Sequence, residues 1–203
     1  MRRLSMMVIC ALLVLVLGIG VASAWARPYV SGNFGLVLVD DAELRDNYGD
    51  RAELSFDAGA GFSAAIGGSN ENGLRGEVEF AYRYNEMDEF NASWVSSYPV
   101  SGEVSTFSVM GNLIVDFFPN EMICPFVLGG IGFANIDAEI DYLGSDNDSV
   151  FAYQLGGGVA FSVGPYTKLD LQYRYFATED PDFAGIEAEY DTHNIFFGVR
   201  QSF

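Results

Sequence analysis

Ten ionisable residues in this chain sit where charge is costly. Glu53, Asp57, Arg75, Glu77, Glu79, Arg83, Asp116, Asp170 and Arg174 each lie between apolar neighbours, and Arg200 follows Val199. Glu77 and Glu79 flank Val78, and Arg83 falls between Tyr82 and Tyr84. Four guanidiniums and six carboxylates on the polar faces of alternating segments have one chemistry in common: they neutralise one another if they converge. Buried charges need partners, so a network of salt bridges filling an enclosed space is one expectation. A narrow or gated ion path through the same residues is the other. His193, the only histidine, has Asp191 and Thr192 beside it but no serine that pairs obviously with it. The acids in Asp137-Ala138-Glu139-Ile140-Asp141 and Asp146-Asn147-Asp148 offer hard oxygen ligands without the spacing of a calcium loop. They read as a solvated acidic surface, and no metal or cofactor site is expected.

The elements that must position these charges are strands. The closing segment, His193 to Phe203, puts Ile195, Phe197, Val199 and Phe203 on one face and Asn194, Gly198, Arg200 and Ser202 on the other. Phe196 is the exception. A strand greasy on one side and polar on the other suits a transmembrane β-barrel, where lipid-facing and lumen-facing residues alternate. Eight such segments can be counted, at about 29–39, 52–66, 74–85, 103–118, 126–136, 150–163, 168–176 and 188–203. In 74–85, Leu74, Val78, Phe80, Tyr82 and Tyr84 oppose Arg75, Glu77, Glu79, Arg83 and Asn85. The segment 126–136 contains Gly129-Gly130-Ile131-Gly132 and leaves its facing open. Connections after the first, third, fifth and seventh segments (40–51, 86–102, 137–149 and 177–187) are long and polar, and those at 68–73, 119–125 and 164–167 are short. Short turns on the periplasmic side and long loops outside produce that asymmetry. Tyr29, Tyr82, Tyr84, Phe117, Phe118, Tyr173 and Tyr175 are the expected interfacial aromatics.

The start of the chain has a different character. Met1-Arg2-Arg3 precedes a nearly continuous apolar run from Met6 to Val21, then Ala22-Ser23-Ala24-Trp25-Ala26. This pattern is that of a secretory signal peptide. Cleavage is expected after Ala26, with Ala24 as second choice. The expected organisation is a signal peptide at 1–26 and one barrel domain at 27–203. Cys10 lacks a lipobox before it. Cys124 is then the single remaining cysteine, expected in a periplasmic turn as a bystander. Removing the leader leaves eight Lys+Arg against 28 Asp+Glu, a net charge of −20. Such acidity argues against nucleic acid as a partner.

Tyr29-Val30-Ser31-Gly32-Asn33-Phe34-Gly35, Phe151-Ala152-Tyr153-Gln154-Leu155-Gly156-Gly157-Gly158, Leu169-Asp170-Leu171-Gln172-Tyr173-Arg174-Tyr175 and the closing segment together carry a resemblance. In order and spacing the chain resembles the small outer-membrane β-barrel family that includes the OmpA barrel domain and OmpX. The resemblance covers the whole of 27–203. It implies an all-β, eight-stranded antiparallel up-and-down transmembrane barrel in the outer membrane of a Gram-negative bacterium. Phe203 would then be the assembly signal, although Gln201 stands where an apolar residue is usual. The implied partners are outer-membrane lipid and lipopolysaccharide, the barrel assembly machinery and an unknown extracellular partner of the loops. The resemblance brings no catalytic activity, because the family is functionally mixed. A narrow porin-like channel is the alternative function. A soluble periplasmic lipocalin-like barrel is a third reading, and it requires the alternation inverted, apolar inside and polar outside.

Overall fold

The computed structural model describes residues 27–39, 42–45, 51–56, 58–92, 95–98, 102–140, 144–179, 182–183, 186–187 and 190–203. The expected leader at 1–26 lies outside them. Eight strands make the wall: β1 (Arg27–Val39), β2 (Gly59–Ser69), β3 (Leu74–Ala92), β4 (Gly102–Asp116), β5 (Ile123–Ile140), β6 (Gly144–Ser162), β7 (Thr167–Thr178) and β8 (Asp191–Ser202). Each pairs antiparallel with its neighbours in sequence. The ring is closed by β1 on β8, from Tyr29 opposite Ser202 to Val39 opposite Thr192. No strand edge is left in the ring, which is what a sheet in hydrocarbon requires, since every backbone N–H and C=O must find a partner.

The period of two decides which residue types face where. Leu36, Phe62, Leu113, Ile131, Leu155 and Leu171 point outward and are each more than half exposed. Their inward neighbours on the same strands are buried, or half-buried at Gly35, Gly130 and Gly156. An apolar belt around the outside with charges inside is the lipid-facing arrangement. It is the inverse of a soluble lipocalin-like barrel, and that reading is corrected. No helix among the described residues is long and apolar enough to cross a membrane; crossing is done by strands.

At one end the connections are tight. In the β2–β3 turn, Asn70 Oδ1 accepts from the amides of Asn72 and Leu74, both at 3.0 Å. Gly73 adopts φ 86°, and its carbonyl accepts from the amide of Asp116 at 2.8 Å. A Cβ at Gly73 would stand 2.4 Å from the Asp116 carbonyl oxygen, so both the backbone angle and the space demand glycine. The β4–β5 turn is shorter than the sequence suggests, because β5 begins at Ile123. Cys124 is therefore a strand residue facing the lumen, fully buried with Ile114, Phe126, Leu128 and Ala160, and its expected place in a turn is corrected.

At the other end the strands overshoot. A tilted strand of roughly 9–11 residues spans a bilayer, yet β3, β5 and β6 have 19, 18 and 19 residues. The polar stretches expected as loops at 86–102 and 137–149 largely continue the ladder. Glu139 lies opposite Ser145, and Ile140 opposite Gly144. Outside the bilayer both faces of a strand can be polar, so composition stops marking the strand end while backbone pairing continues. The first loop likewise contains a hairpin, Ala42–Arg45 with Arg51–Phe56, the latter pairing with the far end of β3.

Candidate functional site

Every described member of the inward charge set is buried. Arg75, Glu77, Glu79, Arg83, Asp116, Asp170, Arg174 and Arg200 are all at most 8% exposed. Asp57 lies outside the described residues. Glu53 belongs to the strand Arg51–Phe56, and its side chain is likewise outside them.

The charges are arranged in tiers. Near the short turns, Arg75 grips Asp116 through Nε at 3.0 and 3.1 Å and Nη2 at 2.9 Å. Arg200 Nη1 stands 3.6 Å from the same carboxylate, and its Nη2 donates to Asp170 Oδ1 at 2.9 Å. Two cations and two anions thus form one neutral cluster. Its guanidiniums pack on rings: Arg75 lies 5.1 Å from the Phe126 centroid and Arg200 5.8 Å from that of Tyr29. Tyr29 belongs to this interior, fully buried and donating to Glu77 Oε2 at 2.6 Å. Its expected place in the lipid-facing aromatic belt is corrected. Tyr29 sits one residue out of phase with the outward Val30 of the same strand, and a nearby carboxylate gives its hydroxyl a partner that lipid could not.

In the middle tier Glu79 pairs with Arg174. The same carboxylate accepts from Gln154 Nε2 and Ser63 Oγ, each at 3.1 Å. Gln172 links the two sides, accepting from Arg174 Nε at 3.1 Å and donating to Asn33 Oδ1 at 2.8 Å. Phe196, out of pattern in the sequence, is fully buried here, with the Arg174 guanidinium 5.6 Å from its ring centroid. In the outer tier Arg83 lies 3.8 Å over the Phe176 ring and donates to Asn194 Oδ1 at 3.2 Å and Ser108 Oγ at 3.0 Å.

Neutral polar side chains thus do as much linking as charges, a part that counting ionisable residues misses. Sequence reasoning also missed that apolar clusters pack beside the charges. Ile114, Cys124, Phe126, Leu128 and Ala160 pack at the level of the turn-end charges, with Phe126 opposite Asp116. Val104, Met110, Ala134, Ile136, Phe176 and Tyr190 contribute to the outer one. The signal was the alternation in β5, whose inward set is Cys124, Phe126, Leu128, Ala134 and Ile136. Both of its faces are apolar, so sequence could not assign a side. At the turn end a cavity of about 610 Å³ opens among the short turns, bordered by Arg27, Tyr166, Lys168 and Phe203 with Arg75, Asp116 and Arg200 at its floor.

On the outer surface, His193 stacks on Tyr173, centroids 5.8 Å apart, and Nδ1 lies 2.5 Å from the Tyr173 hydroxyl. Asp191 accepts from the Tyr175 hydroxyl at 2.5 Å. Thr192, between them in sequence, points into the barrel and is fully buried. The strand's own alternation therefore separates Thr192 from Asp191 and His193, which share the outward face beside Tyr175.

A family profile described as outer membrane protein beta-barrel domain matches residues 8–203. The chain belongs to this family. Outer-membrane β-barrel members of known structure are similar in fold. Neisserial surface protein A shares 18% identity at TM-score 0.53, with 87% of this chain and 97% of that one covered. OprG from Pseudomonas aeruginosa shares 12% at 0.53, covering 87% and 96%. The outer-membrane protease OmpT from Escherichia coli shares 9% at 0.54, covering 88% and 97%. At these identities the likeness concerns the fold alone. No curated protein sequence matches the chain. Family and fold together place the protein in the outer membrane.

Proposed function

We propose that this outer-membrane barrel is a non-enzymatic structural or surface-interaction protein, with its lumen plugged and its outer hairpins as the part that meets other molecules. The plugged lumen carries this reading. An eight-stranded barrel is just wide enough for its side chains to fill it. Here Arg75, Asp116, Arg200 and Asp170 close one tier and Glu79 with Arg174 the next, while apolar clusters fill the space beside them and toward the outer end. An ion entering this interior would have to break pairs whose loss leaves charges buried without partners, at about 3–5 kcal/mol each. The strand overshoot beyond the bilayer supports the second half, because it builds a platform at the end opposite the short turns. A surface protein and a protease both occur on this fold among the similar structures. The separation of Thr192 from His193 and Asp191 favours the non-enzymatic side.

The partners follow as part of the proposal: lipid and lipopolysaccharide around the apolar belt, the assembly machinery reading the strand that ends in Phe203, and an extracellular partner at the hairpins. Planar-bilayer recording of the refolded barrel tests the closed lumen against the channel alternative. The expected trace shows no stepwise conductance in wild type. Regular open levels in wild-type protein would replace the plug by a channel.

A further inference from the structure

The inward charges leave a remainder at the turn end. The four buried cations Arg75, Arg83, Arg174 and Arg200 are balanced by Glu77, Glu79, Asp116 and Asp170. Two more cations share the inward phase of their strands, Arg27 with Tyr29 on β1 and Lys168 with Asp170 on β7. Among the described side chains, inward cations therefore number six against four acids. In the chain as a whole the balance is the reverse, with 28 Asp and Glu against 10 Lys and Arg, and Lys168 is the one lysine.

Both surplus cations border the cavity of about 610 Å³ whose floor is Arg75, Asp116 and Arg200. They come from adjoining parts of the wall. Lys168 stands directly opposite Arg200 in the β7–β8 ladder, and β8 pairs on its other side with β1, which begins at Arg27. Like charges directly opposite one another are destabilising. Lys168 donates to the Pro119 carbonyl at 2.9 Å, one use of the three N–H groups an ammonium carries. Arg200 Nε is buried and has no partner. Glu71 and the terminal Phe203 also border the cavity and are exposed. Among the described residues no carboxylate comes within ion-pairing distance of Arg27 or Lys168.

A single water answers a lone donor but does not neutralise two surplus charges. A phosphate monoester carries about −1.5 to −2 at neutral pH and three strong acceptor oxygens. That matches two cations and one spare buried donor, and Arg and Lys are the side chains that recognise phosphate. The cavity has the volume of a small-molecule site, and Tyr166 at its border offers a ring to the organic part.

We infer that the turn-end cavity binds the phosphate group of a small phosphomonoester, on Arg27, Lys168 and Arg200 Nε.

The mature barrel refolded into octyl glucoside micelles, which contain no phosphate, tests this by amide NMR shifts on titration with inorganic phosphate, the ionic strength held constant with sodium chloride. The expected result is a saturable shift confined to the border of the cavity, Asn70, Thr167 and Ser202 included. Arg27→Gln and Lys168→Gln leave the ion-paired tiers intact. Each is expected to weaken binding about tenfold, the loss of one charge-assisted hydrogen bond. The double variant is expected to lose binding while keeping its heat-modifiable mobility. A dissolved phosphomonoester and a phosphatidic acid headgroup of the periplasmic leaflet present the same group. Shifts with dissolved phosphate in lipid-free micelles assign the soluble source, and shifts that need added phosphatidic acid assign the lipid. No saturable shift with either, or equal affinity in the double variant, overturns the inference.

Discussion

Replacing Glu79 by Gln probes the interior with almost no change in volume. Glu79 is fully buried, pairs with Arg174 and accepts from Gln154 and Ser63. A glutamine fills the same space and keeps one acceptor oxygen, so no cavity opens. What disappears is the charge, and the Arg174 guanidinium stays 2% exposed with nothing to balance it. Removing one partner of a buried pair costs about 3–5 kcal/mol, which is roughly two to three and a half powers of ten in the folded-to-unfolded ratio. Adding Arg174→Met removes the orphaned cation and restores apolar bulk beside Phe196. The double variant is therefore expected to recover most of the loss, because removing both ions of a buried pair is often neutral. The assay is urea unfolding of the barrel refolded into lipid vesicles, with the folded fraction read from the mobility of unheated samples on SDS gels. A loss below about 1 kcal/mol for Glu79→Gln would refute the reasoning, since it would match an exposed, solvent-screened pair. So would a double variant no better than the single.

Three further expectations use the same refolding assay or a simple label. Gly73→Ala should destabilise by at least about 1–2 kcal/mol, the cost of left-handed backbone for a residue with a Cβ, with more from the clash at the Asp116 carbonyl; wild-type stability would contradict the turn geometry. Leu171→Arg puts a cation on the apolar belt and should cost about 2–4 kcal/mol if the residue lies near mid-bilayer, whereas a soluble surface would tolerate it. Cys124, with no exposed surface, should resist a water-soluble maleimide in the folded barrel and react fully in urea. Rapid labelling of the folded form would mean that the packing around Cys124 is open.

The parts of this protein that were legible in the sequence are those where lipid and lumen impose opposite chemistry on alternate residues. β3 and β7 show it best: Arg75, Glu77, Glu79 and Arg83 on one, Asp170, Gln172 and Arg174 on the other, each set flanked by outward apolar residues. The short turns were legible for the same reason, because Asn70 and Gly73 have few other uses in that spacing. Legibility failed where the contrast vanished. β5 is apolar on both faces, so neither its register nor the place of Cys124 could be read. Beyond the bilayer the strands are polar on both faces, so β5 and β6 looked like a loop. Tyr29 has a ring suited to the interface and a hydroxyl suited to Glu77, and only the position of Glu77 across the barrel decides between them.

The most direct test of a closed barrel in the outer membrane is the heat-modifiability of the protein in fractionated cells. Outer-membrane samples run on SDS gels without boiling are expected to show a band that migrates faster than the boiled one, because a ring with no free edge stays folded in detergent. A single mobility with and without boiling, with the protein recovered in the soluble periplasmic fraction, would contradict the account.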